Sequence, residues 1–546
     1  MVVAVWLAFI VRGAFYCVQQ PMWEGYDEWA HFAYIQHIAD RGTVPASTDP
    51  VSTEVQQSLM LVPLSQSAAM VADGTITHGA FWQLTPGERL RREQELRQLS
   101  SNTMPTVPAT KAPNGYEAQQ PPLYYLLLTL PYLAVKSLSL PAQVLLLRLF
   151  SLVVVSTVVF LSYAVACRVF RGEQLSFLVP VLIACLPGLF INVCRVGNES
   201  LSIVLISAVI LLSLRVLRSD ARIRDWAIWG GLLGAALLTK AYALAFLPLL
   251  PLVAGLRIRK NSSTVRATVL GCLLACGLVA LIAGWWYWRS WITTGTLSGE
   301  QLDVASARFT LMEKVRAISM LGWCTVIDSA AFSHIWVGGW SFLVVRSWMY
   351  RVFEIAAVLA IVGILVTAAR TVRHAIRTGV LGLSGDRLVI LVSTYTLACL
   401  ALAYHSLVTF LVTQTSTALG WYLYSVVVAE VILVASGMSA LFGGPWARRG
   451  LAVLCVVAAA LDLYTVHFIS TPYYSGLVAH QGSGALSTFR IQMLSNLGGI
   501  EEIFHRLSLN ETDCLGPSVV SISWAAYLCA TAALIAIALI LSRSRR

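Results

Sequence analysis

Long apolar runs alternate with short polar connections along the chain. Twelve stretches hold, or nearly hold, the roughly 18 apolar residues that a helix needs to cross a hydrocarbon core about 30 Å thick. They lie at 3–18, 144–167, 176–193, 199–216, 226–240, 243–256, 268–288, 352–369, 388–411, 421–441, 450–468 and 522–541. The ten-residue alternation of a membrane β-barrel does not occur. The pattern therefore predicts an all-α polytopic membrane protein of about 12 transmembrane helices. Residues 2–18 are short for a span and include Arg12, with no basic leader and no clear small-residue cleavage site. They read as a first helix, clipped at its start, and not as a signal peptide.

The run at 122–137, PPLYYLLLTLPYLAVK, tests this scheme. Counted as a span, it would reverse the side of every later loop. Its length and its opening prolines suit a juxtamembrane helix. A first outer loop then extends from about 19 to 143. Within it, 41–80 read as irregular, 86–99 as an amphipathic helix opened by Pro86 and an acid, and 101–121 as a Pro-rich return to the membrane. Further outer segments fall at 194–198, 289–351, 412–420 and 469–521. No internal repeat or low-complexity tract is visible. The chain divides into a module over 1–350, with outer loops 19–143 and 289–351, and C-terminal helices over 351–546, with outer loop 469–521.

Composition agrees: 57% of the residues are hydrophobic and 12% charged, against roughly 25% charged in soluble domains. The net charge of +11 would suggest nucleic acid in a soluble protein, but its distribution argues otherwise. Of the 38 Lys and Arg, 19 lie in six short connections that carry +15, leaving −4 elsewhere. That positive-inside pattern reports topology and gives no reason to expect a nucleic-acid partner. Most of the eleven cysteines fall in apolar segments and read as small hydrophobes. Cys324 and Cys514 stand in predicted outer loops, where a disulfide is conceivable. No CxxC or His/Cys ligand spacing appears, so no metal site is expected.

Four polar constellations remain. The sharpest is PMWEGYDEWAHFAYIQHIADRG at 21–42. Glu24, Asp27, Glu28 and His31 are spaced to share one face of a helix. The acids could merely cap an interfacial helix, or one could serve as a carboxylate base whose pKa burial and cations tune. The second is Glu117-Ala-Gln-Gln-Pro-Pro-Leu-Tyr-Tyr125, which brings Gln120 and Tyr124 to the headgroup level. The third gathers outer helix ends: Arg195, Asn198 and Glu199; Lys240 and Tyr242; Arg289. Single cations there often only snorkel, yet Lys240 sits in a tight outer turn, where a lipid phosphate would want fixed positive charge. The fourth is Gln414–Tyr424, with Tyr422, which also fits plain interfacial packing.

Together these motifs resemble the C-type glycosyltransferase superfamily of polyprenyl-phosphate-sugar-dependent enzymes. It includes protein O-mannosyltransferases and aminoarabinose transferases. The order matches: a first span, an outer loop opening on Asp27-Glu28, the Pro-Pro-Leu-Tyr-Tyr helix, an inner basic turn, an outer Asn turn, and GLLGAALLTK ending at Lys240. A related, uncharacterised bacterial membrane-protein family shares P-x-DE-x-x-H, Y-x-P-P-x-Y and an aromatic stretch, here FSHIWVGGW from Phe332 to Trp340. The match covers roughly residues 1–350 well and the rest loosely. This chain departs at Gln120, where many relatives hold His; at Trp421, where a Gly-Arg-Tyr motif holds Arg; and at Gly197-Asn198-Glu199, where others read Asn-x-Asp.

The resemblance implies sugar transfer from a polyprenyl-phosphate donor to a glycan, lipid or protein acceptor. Asp27 would be the general base, Glu28 its support, and Lys240, Arg289, Arg195 and Tyr242 the donor-phosphate partners. His31, Glu117, Gln120, Tyr124, Asn198, Glu199 and Tyr422 would line the substrate site. No cofactor is required, and a divalent metal is compatible. Direct displacement implies inversion at the anomeric carbon. The expected setting is a bacterial plasma membrane, among membrane lipids, with the site facing outward. The rivals are a lipid or polysaccharide transporter or flippase, for which Glu430 and Asp462 are the ionisable residues within spans, and a non-catalytic scaffold of envelope glycan assembly.

Overall fold

The computed structural model describes residues 1–65, 75–99, 115–170, 172–260, 264–297, 309–378, 383–481, 484–508 and 516–543. Ten helices among these are long and apolar enough to cross a membrane, and twelve if each of two bent pairs counts as one span. The protein is thus a multi-pass, all-α membrane protein. Its only regular strands among the described residues are two-residue segments, Pro63–Leu64 and Ile76–Thr77, paired in parallel.

The predicted spans recur with local changes. The stretch read as 176–193 is two helices, Glu173–Cys185 and Pro187–Val193, bent by 61° where Pro187 cannot continue the hydrogen-bond ladder. The span read as 226–240 is a 15-residue helix, Ile223–Leu237, just under a full crossing. Pro122 precedes a 13-residue helix, Leu123–Val135, the short element expected there. Two expectations need correction. The segment 41–80 is not wholly irregular: Thr53–Leu61 is helical, capped where Ser52 accepts from the Val55 amide, and His78–Gln83 is a second short helix. The region 289–351 is more than a loop, because Leu311–Met320 and Trp323–Ile335 form an apolar pair bent by 82°. Its tryptophan density masked two helices that bury Ala317, Leu321 and Val326 against the bundle and leave Leu311, Met312 and Ile327 exposed. Cys514, the conceivable disulfide partner of Cys324, lies outside the described residues.

Contacts sort the connections to two ends of the bundle. At one end, the Arg257 guanidinium donates to the carbonyls of Val216, Arg218 and Ala221. Arg259 pairs with Asp386 at 2.8 Å, and Arg448 donates to Gln174. Arg168 lies within electrostatic reach of Arg215, Arg218 and Arg387. Five of the six basic connections therefore share one end, as the charge pattern predicts; most of the sixth, 543–546, lies outside the described residues. At the opposite end Asn198 donates to the Thr239 carbonyl at 3.1 Å, so the outer turn and the Lys240 turn meet.

Buried polar groups fix the packing. Arg12 in Val2–Gln19 pairs with Asp462 at 2.6 Å, both fully buried. The hydroxyls of Tyr16 and Tyr527 donate to the two Asp462 oxygens at 2.5 Å each. Glu430 holds His334 Nε2 at 2.8 Å. Both acids on which a transport reading rested are thus engaged in helix-to-helix contacts. A second buried pair lies higher. Arg148, in Leu140–Ser156, donates Nε and one terminal N–H to Glu28 at 2.7 and 2.6 Å. Its remaining N–H groups reach the carbonyls of Cys17, Gln20 and Pro21 at 2.6–3.0 Å. Elsewhere, Ser347–Thr378 and Val427–Phe442 cross where a Cβ on Gly437 would lie 2.2 Å from the Ala360 carbonyl oxygen, so only glycine permits that approach.

Two outcomes follow for thermal unfolding in detergent. Breaking the Arg148 pair by Arg148→Met or Glu28→Gln should cost roughly 3–5 kcal/mol, and Arg148→Lys should rescue little, since an ammonium cannot reproduce the fork. Melting temperatures within a degree of the parent for all three would refute that role. Gly437→Val should destabilise by roughly 1–3 kcal/mol through overpacking, whereas Val at Gly277, whose Cβ position meets nothing within 4 Å, should be tolerated.

Candidate functional site

The site forms where the chain leaves its first helix. Spacing alone would place Glu24, Asp27, Glu28 and His31 on one helical face, but the helix begins only at Glu28. Asp27 precedes it with φ 54° and ψ 19°, a left-handed conformation that costs a non-glycine residue free energy, though Asp tolerates it better than most. The four side chains therefore diverge. Glu24 turns away: its carboxylate meets His78 Nε2 at 3.0 Å and the Ser341 amide at 2.8 Å. Its carbonyl accepts from the Trp340 amide at 2.9 Å. Gly339, at φ +54°, permits this contact; a Cβ there would lie 2.7 Å from Glu24 Oε1.

Glu28 faces the protein interior. Beyond its bidentate pair with Arg148, Oε1 accepts from the Val196 amide at 2.9 Å. It is fully enclosed, both its oxygens are engaged by protein groups, and it ties the Asp27 turn to the 195–198 turn. Asp27 itself stays partly exposed. No group among the described residues hydrogen-bonds to its carboxylate. Desolvation by the surrounding protein raises its pKa to about 6; Arg195 pulls the other way, Glu199 adds to the rise and Lys240 opposes it.

Three elements supply those charges. Arg195 stacks near Tyr26, donates to the Tyr26 and Asn192 carbonyls, and pairs with Glu199 at 2.7 Å. The other Glu199 oxygen takes Lys240, so one carboxylate bridges both cations. The Lys240 ammonium also lies over the rings of Tyr242 and Tyr422, 5.6 and 5.4 Å from their centroids. Tyr242 is anchored by its hydroxyl on Ser202 at 2.9 Å. Arg289 stands apart: its guanidinium lies over Trp286 at 4.9 Å and reaches the pocket only through its field on Tyr34.

The Pro-Pro helix closes another wall. Tyr124 accepts from the Gly197 amide at 2.9 Å and meets Ser151 at 2.8 Å. Tyr125 meets His31 Nδ1 at 2.8 Å and stacks on Tyr34 at 3.8 Å. Gln120 Oε1 accepts from Asn198 at 3.2 Å. Burial, then Arg195, hold the His31 pKa well below its usual value, so the imidazole is neutral at pH 7. Burial and the Asp27 charge push Glu117 well above the carboxylate range. The structure thus gathers Asp27, Glu117, Gln120, Asn198, Glu199, Arg195, Lys240, His31, Tyr124, Tyr242 and Tyr422, and leaves Arg289 on the rim. Sequence reasoning missed Arg148, whose signal was an arginine inside an apolar run, and Tyr26, whose ring stacks on Trp421 at 4.2 Å. No cluster of three or more His, Cys, Asp or Glu side chains suited to a metal occurs among the described residues.

No protein-family model and no curated protein matches the chain. Among solved structures, it is similar to ArnT from Cupriavidus metallidurans bound to undecaprenyl phosphate, with 12% identity, 98% of this chain and 77% of that one covered, and a TM-score of 0.46. It is also similar to the apo oligosaccharyltransferase of Archaeoglobus fulgidus, with 12% identity, 84% and 54% covered, and a TM-score of 0.40. The same organism's AglB, in complex with an inhibitory peptide and a dolichol-phosphate, gives 13% identity, 91% and 58% covered, and a TM-score of 0.37. ArnT and AglB are C-type glycosyltransferases, the superfamily that the motifs around Asp27 resemble. At these identities and scores, activity and substrate must be argued from this chain's own residues.

Proposed function

We propose that the protein is a membrane glycosyltransferase that moves a sugar from a polyprenyl-phosphate donor to a hydroxyl of a glycan, lipid or protein acceptor. The observation that carries this reading is the Asp27 carboxylate: unpartnered, partly exposed, raised to about 6, and held in a strained conformation beside two cations. Strain and a perturbed carboxylate in one place are marks of a working residue. Asp27 accepts the proton of the acceptor hydroxyl as that oxygen attacks the anomeric carbon. The bond from that carbon to the phosphate oxygen breaks, and its electron pair leaves with the phosphate. Attack opposite the leaving group inverts the anomeric centre.

Lys240 and Arg195 offer the positive charge that a leaving phosphate needs, with Arg289 at the rim. The Tyr242 and Tyr422 rings flank the Lys240 ammonium and hold it in place. That the site lies at the bundle end opposite the basic connections supports an outward-facing site by the positive-inside rule, in the bacterial plasma membrane that the family resemblance implies. The donor enters from the surrounding lipid.

In isolated membranes supplied with a radiolabelled polyprenyl-phosphate sugar, Asp27→Asn should lower transfer by about 10²–10⁴-fold with donor binding retained. Transfer at the parent rate would sink the reading in favour of a flippase or scaffold. For the parent, kcat/KM should climb as pH rises through about 6 and then level, because the base must be ionised; a profile flat from pH 5 to 8 contradicts this. Stability carries the opposite sign. With a folded pKa of about 6 above the unfolded value of 3.8, the charged Asp27 imposes a folding penalty that is absent below 3.8, grows between the two values and is complete above about 6. Asp27→Asn should therefore raise the melting temperature at pH 7.5 and leave it unchanged below about pH 3.

A further inference from the structure

Two buried acceptor atoms in this pocket have no partner among the described residues. Glu117 is 4% exposed and Asn198 fully enclosed, yet Glu117 Oε2 and Asn198 Oδ1 meet no donor among the described residues. The Asn198 amide cannot be turned around to cure this. Its nitrogen already donates to the Thr239 carbonyl and to Gln120 Oε1, which fixes the oxygen toward the unpaired side. Gln120 lies between the two residues: its side-chain oxygen accepts from Asn198, and its backbone amide donates to the Glu117 backbone carbonyl at 3.0 Å. A buried polar atom left unpaired is destabilising, and such atoms persist in folded proteins mainly where a bound group completes them.

We propose that Glu117 and Asn198 form a hydroxyl-reading subsite beside Asp27, which takes adjacent hydroxyls of a neutral sugar ring. This rests on the glycosyltransferase reading and names the substrate chemistry of that site. The charges support a neutral ligand. Arg195 and Lys240 share Glu199 as counter-ion, so the two cations balance Glu199 and the ionised Asp27. A second ionised acid would leave the enclosed pocket with uncompensated negative charge. Beside Asp27, Glu117 keeps its proton and presents an O–H and a C=O, while Asn198 presents an acceptor. That pairing complements hydroxyls, each both donor and acceptor. A protonated amino group would need acceptors alone, and would favour an ionised Glu117.

The test compares affinities of purified full-length protein, by tryptophan fluorescence, for undecaprenyl phosphate and for a panel of undecaprenyl-phosphoryl pentoses and hexoses. Parent protein should bind at least one sugar-bearing lipid about tenfold more tightly than the sugar-free lipid, the equivalent of about 1.4 kcal/mol. Glu117→Ala and Asn198→Ala should each erase that gain and leave sugar-free binding intact. Glu117→Gln, which also donates and accepts, should keep most of it. If the gain appears with free monosaccharides in the absence of lipid, the hydroxyls read are the acceptor's and the subsite stands. A Gln variant as weak as Ala would overturn the neutral-ring assignment, and loss of sugar-free binding in the Ala variants would reduce both residues to a structural role. If the parent binds neither class of lipid, the donor reading itself fails and takes this one with it; equal affinity for both lipids, with no response to free monosaccharides, removes the subsite alone.

Discussion

The planar fork of Arg148 presents five N–H donors in fixed directions, and every one is used. Two grip Glu28; three take carbonyls from Cys17, Gln20 and Pro21, where the backbone leaves its first helix and turns. Without it the Cys17 and Gln20 carbonyls would lack a partner among the described residues, and Pro21 would keep only the Glu24 amide, at a cost that a marginally stable protein does not absorb easily. By satisfying them, one side chain sets the path of residues 17–28. Glu28 then extends the arrangement to the Val196 amide, so the turn bearing Asp27 and the turn bearing Arg195 and Asn198 are held against each other. The left-handed backbone at Asp27 is affordable only because both flanks are pinned.

That constraint separates two neighbouring acids by function. Glu28 is wholly consumed by protein contacts, while Asp27 keeps its oxygens free. The remaining charges follow one logic: Glu199 neutralises what Arg195 and Lys240 bring, His31 stays uncharged, and Glu117 keeps its proton. The pocket is close to electroneutral before any ligand arrives. An incoming phosphate can share the two cations with Glu199 or meet Arg289 at the rim, and no large redistribution of charge is required.

Much of this was legible in the residues. Apolar run lengths gave the helices, and the clustering of Lys and Arg gave the shared basic end, because bilayer thickness and membrane topology act directly on composition. The Asp27-Glu28 pair, the Pro-Pro-Leu-Tyr-Tyr helix and the Lys240 turn could each be singled out, and they do meet. The illegible parts depend on partners remote in the chain. Spacing promised Glu24 a place beside Asp27, but His78 and the Ser341 amide draw it elsewhere, and no local rule encodes that. The bent helices within 289–351 hid because aromatic residues look alike in an interfacial loop and in a short helix packed on a bundle. Lys240 was recognisable as a misplaced cation, whereas its counter-ion Glu199, 41 positions earlier, was visible only as part of a turn.

The pairing of Arg12 with Asp462 has a consequence for how the protein is made. Arg12 lies in a helix synthesised long before its counter-ion, and its guanidinium is among the costliest groups to leave in lipid. Its counter-ion, and the Tyr527 hydroxyl that shares it, emerge from the ribosome hundreds of residues later. Until then the early helix must keep Arg12 near water, lie shallow in the bilayer, or be sheltered by the insertion machinery. Completion of the bundle is what lets the helix settle, so synthesis halted before residue 462 leaves an exposed intramembrane arginine. Such a group is the kind of signal by which a cell can tell an unfinished membrane protein from a finished one.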